Sequence, residues 1–349
     1  MNCRLAAVGV SCAMIASGAL PAPAAARTHQ VWAGGTPSFQ KALHVRYQAE
    51  VNDFFPHQVA IRQGDTIEWQ GMSIGFHSID VPGKGDTDLP FILPTDTTAA
   101  GLTDFAGNPF WFDGQPNLAF NPKLFAASGA GTYDGSARAD SGLPVGRPAP
   151  FELTFTKPGT YVYYCDLHYG MRGVVVVAPK RVKTPSQAQE AAAIAAQQLR
   201  DTKVAKALTR TRVSGGVSVG ISGKDSVEAL AMFPSTLHVH AGATVTFSAP
   251  TTTGEIHTAT FGPSDYLKPL STSITNPTPA ATVVYPSSQH GAIEVPGTHG
   301  NGFANSGGLE RGDDAPFRSQ AKFTFTAPGT YRYVCLLHPF MRGTIIVSP

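Results

Sequence analysis

Two short runs of this 349-residue chain gather the side chains best able to hold a soft metal ion. In Tyr164-Cys165-Asp166-Leu167-His168-Tyr169-Gly170-Met171-Arg172-Gly173, two residues separate the cysteine from the histidine and two more separate the histidine from the methionine. Val334-Cys335-Leu336-Leu337-His338-Pro339-Phe340-Met341-Arg342-Gly343 repeats that spacing. A thiolate and an imidazole are strong donors and a thioether is a weak one. One further histidine completes a His2Cys set with a long axial methionine, the ligand set of copper sites that transfer single electrons. Such a histidine stands upstream of each loop, in Gly75-Phe76-His77-Ser78-Ile79 and in Glu255-Ile256-His257-Thr258-Ala259. The expected metal ligands are therefore His77, Cys165, His168 and Met171 for one copper ion and His257, Cys335, His338 and Met341 for a second.

The elements that must position these loops also occur twice. Pro158-Gly159-Thr160-Tyr161 leads into the first loop and Pro328-Gly329-Thr330-Tyr331 into the second, while Phe55-Pro56-His57 aligns with Phe233-Pro234-Ser235 farther upstream. Even the inserted loops echo one another, Ser141-Gly142-Leu143 against Ser306-Gly307-Gly308-Leu309. A whole-domain duplication accounts for this order. Each copy reads as short strands of period two separated by Gly and Pro turns, among them Gln58 to Ile61, Thr66 to Trp69, Phe151 to Phe155, Tyr161 to Tyr164 and Val174 to Val177, which predicts an all-β sandwich. Domains are expected over 39–180 and 213–349. Between them, 184–212 predicts a helix: Thr184 as N-cap, Pro185 at the first position, Gln187 three after the cap, and no Gly or Pro from Ala188 to Leu208. It serves either as a spacing connector or as a helix packed at a domain interface.

Residues 1–26 combine Arg4, an apolar run from Leu5 to Leu20 and a small-residue ending, the pattern of a secretory signal too short to span a bilayer comfortably. Its removal takes Cys3 and Cys12 and leaves Cys165 and Cys335. Each of these sits in its own motif beside His and Met, so metal ligation is favoured over a disulfide. The exported protein is expected in a periplasmic or extracellular space with no transmembrane segment. Charged residues make up 14% of the chain and the formal net charge is +2, with no basic stripe of the kind nucleic acid requires. The methionines left outside the signal, Met72, Met171, Met232 and Met341, are too few for a metal store.

On these loops the chain resembles the cupredoxins, the blue copper proteins, in the short-loop form seen in amicyanin. The resemblance covers the surroundings of both motifs but neither the inserted segments nor the connector. It implies two tandem Greek-key β-sandwiches of plastocyanin-like type, type 1 copper in each, and electron transport between a donor and an acceptor redox protein. It also implies that His168 and His338 reach the surface as electron doorways, lined by Tyr169 and Gly170 at one and by Pro339 and Phe340 at the other. Many members carry Asn after the first ligand histidine. Here Ser78 and Thr258 stand there, with hydroxyls able to bond between the ligand loops. Two-domain members also include copper oxidases and nitrite reductases, whose second copper needs histidines absent here: Tyr164 and Val334 precede the cysteines, and Pro82 and Gly262 stand five after His77 and His257. An enzyme of that class, built on an unrecognised second centre, is the alternative; a copper module for adhesion or assembly is a third.

Other candidates carry less. His290 and His299 read as loop residues short of a third ligand. His238 and His240 alternate with Leu237 and Val239 and so face solvent. Cleavage after Ala26 would expose Arg27-Thr28-His29, a sequence able to chelate Cu(II) through its amine, amides and imidazole. The long insertion after His77 carries Phe91, Phe105, Phe110, Trp111, Phe112, Phe120 and Phe125, too aromatic for a disordered segment.

Overall fold

The computed structural model describes residues 25–72, 75–87, 89–94, 118–143, 150–250, 254–262, 264, 267–268, 271, 293–294, 304–310 and 319–349. The signal-like segment through residue 24, His290 and His299, and Phe105, Phe110, Trp111 and Phe112 lie outside them.

Two pairs of sheets account for nearly all the strands. In the first pair, one sheet runs in the order Phe54–Phe55, Thr28–Ala33, Thr66–Gln70, Phe151–Phe155, Gly131–Tyr133; the other runs Ala139–Asp140, Asp80–Val81, Gly159–Tyr164, Arg172–Ala178, Gln58–Arg62. The second pair repeats this plan. Val217–Ser222 lies parallel to Ala243–Ser248 as Thr28–Ala33 does to Thr66–Gln70, and Thr236–His240 lies parallel to Arg342–Ser348 as Gln58–Arg62 does to Arg172–Ala178. Alternation sets which residues face inward: Ile67 and Trp69, then Phe151, Leu153 and Phe155, meet Tyr163, Val175 and Val177 in one core, while Val245, Phe247, Phe323 and Phe325 meet Tyr333, Ile345 and Val347 in the other. The expected all-β sandwiches are what the chain forms, and His238 and His240 are exposed as the period of two requires.

The Gly that ends each ligand motif has a packing reason. Gly173 sits directly across from Tyr163 and Gly343 across from Tyr333, and a Cβ at either glycine would lie 2.2 Å from the ring of that tyrosine. The two buried tyrosines lie over bare backbone, and their rings belong to the two sandwich cores.

A third core joins the halves. Helix α1 (Pro37–Tyr47) and helix α2 (Gln187–Leu208) pack Phe39, Leu43, Ala205 and Leu208 against Phe55, Val51, Ala49, Ile221, Val227 and Ala229. Here Ala49–Val51, from the N-terminal half, pairs antiparallel with Val227–Phe233 and extends the second half's sheet, with Glu50 opposite Glu228. The segment after the first half is thus a packed helix, not a free spacer. It starts two residues later than the sequence frame predicts: Ser186 is the N-cap and forms a reciprocal capping box with Gln189. The Pro185 carbonyl is held outside the helix by the Arg27 guanidinium, 3.0 Å away.

One residue of α2 opposes this packing. Asp201 is 1% exposed and neither carboxylate oxygen has a partner; burial and the neighbouring charges of Asp225 and Asp53 push its pKa up to about 7. Below the ordinary carboxylate range the group is protonated in both folded and unfolded chains and costs nothing by linkage. As pH rises from about 4 towards 7 the unfolded chain ionises while the folded one holds its proton, so stability falls. Asp201→Asn is therefore expected to stabilise the fold by about 1–2 kcal/mol at pH 7 and by little at pH 4. Melting curves at the two pH values check this, and an equal gain at both would show that the charge is not the cause.

Candidate metal centres

Each expected ligand cysteine directly follows a strand and each expected ligand methionine precedes the next, so the loop between them is fastened at both ends. The Cys165 N–H donates to the Met171 carbonyl at 3.0 Å and the Met171 N–H to the His168 carbonyl at 3.0 Å; in the second half the Cys335 and Met341 N–H groups do the same at 3.0 and 2.7 Å. Met171 and Met341 are buried in the two sandwich cores. The upstream histidines arrive from segments 88 and 78 residues before the cysteines. His77 Nδ1 lies 3.9 Å from Cys165 Sγ and 2.9 Å from His168 Nδ1, and His168 Nδ1 lies 3.4 Å from the same sulfur. In the second half His257 Nδ1 and His338 Nδ1 are 3.9 and 3.7 Å from Cys335 Sγ.

Donors held about 120° apart on one ion, at ordinary thiolate and imidazole bond lengths, stand roughly 3.5–4 Å from one another. The sulfur–nitrogen distances of both triads, 3.4–3.9 Å, are close to that requirement, while the two Nδ1 atoms of the first triad stand closer together, at 2.9 Å; the soft sulfur and imidazole donors suit copper. Cys165 and Cys335 are free and buried, each in its own core. Burial alone would raise both thiols, yet the facing histidines outweigh it: His168 and then His77 hold Cys165, and His257 and His338 hold Cys335, well below the ordinary thiol value. A metal ligand must be the thiolate, and these sites favour it.

The surroundings show how the sulfur and the loops are braced. Ser78 and Thr258 donate their backbone N–H to Cys165 and Cys335, both at 3.4 Å. Their hydroxyl oxygens accept from the N–H of Asp166 and Leu336, both at 2.9 Å, so they do tie the two ligand loops together. The echoed serines of the insertions have a matching role: Ser141 Oγ accepts from the Ile79 N–H and Ser306 Oγ from the Ala259 N–H, each at 2.8 Å, two residues after the ligand histidine. The repetition is visible in the sequence; this bracing role is not.

The sites differ in charge. Burial lowers the pKa of His77. His257 is equally buried, but the Cys335 sulfur and Glu228, 3.4 Å from its outer nitrogen, push it up to about 10. Glu228 lies on the strand that Ala49–Val51 extends, a position no local motif marks.

The loop histidines depart most from the resemblance. His168 is 4% exposed and His338 is half-buried rather than open at the surface. His168 Nε2 lies 2.9 Å from Glu255 Oε1, and His338 Nε2 lies 3.5 Å from Glu255 Oε2. The second half covers the first half's loop histidine, which the implied doorway required to be exposed; Tyr169, Gly170, Pro339 and Phe340 are exposed beside them. Burial opposes a charge on His168, but the carboxylate of Glu255 raises it well above the ordinary value.

Two further donor groups exist among the described residues: Glu50, Glu255 and His338, and Asp80, Asp140 and Asp166. The second carries its own cation, since Arg138 pairs with Asp80. The candidate Cu(II) chelate at Arg27-Thr28-His29 does not form in this fold. Thr28–Ala33 is a strand, and the buried His29 ring spends both nitrogens, on Glu190 at 2.9 Å and on Asp65 at 3.2 Å.

No protein-family model matches the chain. Over 53 residues, 14% of this chain, it is 40% identical to amicyanin-alpha of Methylorubrum extorquens, and the match spans 44% of that protein, under half its length. Among solved structures, a reduced Cu(I) form of an amicyanin variant aligns at 20% identity over 40% of this chain and 89% of its own, with a TM-score of 0.22. The oxidised plastocyanin of Dryopteris crassirhizoma aligns at 19% identity over 38% and 99%, with a TM-score of 0.21. The reduced auracyanin of Roseiflexus castenholzii aligns at 21% identity over 38% and 95%, with a TM-score of 0.25.

Proposed function

We propose that the chain is an exported, cupredoxin-like carrier of single electrons with two type 1 copper sites, one in each sandwich. His77, Cys165, His168 and Met171 hold one ion and His257, Cys335, His338 and Met341 the other. The domains run over 39–180 and 213–349 with 184–212 between them, and 1–26 is the secretory signal that directs the protein to the periplasm or beyond the cell. The observation that carries this reading is the recurrence of a His-Cys-His triad around a buried thiol that is held well below its ordinary value. Copper bound by such a set cycles between Cu(I) and Cu(II), which is one-electron chemistry. The chain's own part is to keep the donors fixed in both states. The loops are pinned by backbone hydrogen bonds at both ends, Ser78 and Thr258 steady the sulfurs with N–H donors, and burial excludes water. No helix among the described residues is long and apolar enough to cross a membrane. The 53-residue likeness to an amicyanin is in keeping with a small redox protein as donor and another as acceptor.

Metal analysis with electron paramagnetic resonance and a redox titration tests the reading. The expected result is two coppers per chain, both of the blue kind with an intense thiolate-to-copper band, taking up two electrons at two unequal potentials because the Glu228 carboxylate stands 3.4 Å from His257. A colourless copper-loaded protein would sink it, and a non-blue copper signal would favour the oxidase or reductase alternative.

A further inference from the structure

The two ligand loops share one buried carboxylate, and nothing in the repeated motif requires that. Glu255 presents Oε1 to His168 Nε2 at 2.9 Å and Oε2 to His338 Nε2 at 3.5 Å. It is fixed in place: Asn52 Nδ2 donates to Oε1 at 2.9 Å, the Glu50 carboxyl hydrogen-bonds to it, and the residue is 7% exposed. It also stands two residues before His257, so the same short segment supplies a ligand of the second site. Both imidazoles turn Nδ1 towards their cysteine sulfur, which leaves Nε2 to carry the proton and donate it to the carboxylate. A carboxylate behind a ligand histidine fixes the ring and strengthens it as a donor. One carboxylate behind two such rings makes the charge at either site felt at the other.

We propose that Glu255 couples the two centres, and that an electron accepted at one equilibrates with the other inside the chain by way of His168, Glu255 and His338. The inference rests on the two-copper reading given above. The step balances without a further reactant. Cu(I) at one centre loses one electron, Cu(II) at the other gains it, Glu255 stays ionised, and both Nε2–H protons stay where they are. The exposed Tyr169 and Phe340 flank this buried path, so partners meet the rim of the bridge and not the imidazoles themselves.

The test uses the full chain after two blue coppers per chain have been counted. Pulse radiolysis delivers less than one electron per chain to the oxidised protein. The redistribution between sites is then followed spectroscopically, with Cys165→Ser and Cys335→Ser supplying the signature of each remaining site. A relaxation rate independent of protein concentration is expected, slowed by about tenfold or more in Glu255→Gln and Glu255→Ala with both copper bands retained. A wild-type rate proportional to protein concentration overturns the proposal whatever the variants do. So does an unchanged rate in Glu255→Gln, or a third tightly bound metal per chain, since that would make Nε2 a ligand in place of a donor. Failure of the copper count instead overturns the reading beneath it, before any pulse is given.

Discussion

Cys165→Ser and Cys335→Ser should each leave one copper per chain and about half of the visible absorption, since the intense band belongs to the thiolate-metal bond and each sulfur serves one site. The double variant should be colourless and bind no blue copper. The expectation comes from the arrangement of donors: Cys165 lies with His77 and His168 and Cys335 with His257 and His338, in two separate groups among the described residues. Serine keeps the size of the side chain, so the loop hydrogen bonds from Met171 and Met341 should survive and the fold should hold. Elemental analysis and paramagnetic resonance on each variant read the result. Retention of two blue coppers in either single variant would remove that cysteine from the ligand set.

The second large effect is expected at the seam between the halves. Phe55 is fully buried, stacks on Phe39 with ring centroids 5.5 Å apart, and belongs to the core that α1 and α2 form with the strands Ala49–Val51 and Val227–Phe233. Truncation to alanine should cost about 3–5 kcal/mol, the range for removing a buried phenylalanine. The chain has more than one core, so a single unfolding free energy does not describe it. Calorimetry of Phe55→Ala should instead show an early transition separating from a later one. The thiolate band of isolated Cu-loaded protein at low temperature should remain, because Phe55 touches neither triad. A trace superimposable on that of the wild type would mean that the third core contributes little to holding the halves together.

Seam and metal loops are linked through Glu50 and Asn52. Val51 and Ala49 are inward-facing on the added strand, and the intervening Glu50 is held opposite Glu228. Burial and the nearby charge of Glu255 raise the Glu50 carboxyl well above its usual range. His168, on the far side, together with His338 holds the Glu255 carboxyl well below its usual range against the opposing effect of burial. The apolar seam thus sets the Glu50 carboxyl against that of Glu255, which lies between the two loop imidazoles. Buried carboxyls need such partners, because an unpaired buried charge costs several kcal/mol.

Much of this was legible in the residues. The period of two in Thr66–Gln70 and Phe151–Phe155 depends only on strand geometry, and the burial of Ile67, Trp69, Leu153 and Phe155 follows it. The spacing Cys165, His168, Met171 is local, and a loop this short can bring its donors together in few ways. Other features were less legible. The frame read at Thr184 is not the one used; Ser186 caps the helix through Gln189, and Arg27, from a sequence-distant strand region, holds the Pro185 carbonyl outside it. His29 is attractive as a chelating residue only while its neighbours are unknown; Asp65 and Glu190 reach it from sequence-distant elements.

The sequence by itself determined that there are two sandwiches, two His-Cys-His-Met sets, and the order of strands that carries them, because period, loop spacing and internal repetition are properties of nearby residues. Only the tertiary structure decided that the two loop histidines are turned inward onto Glu255 and not outward to solvent. That outcome depends on how the third core docks one half on the other, and packing between elements more than a hundred residues apart leaves no spacing to read.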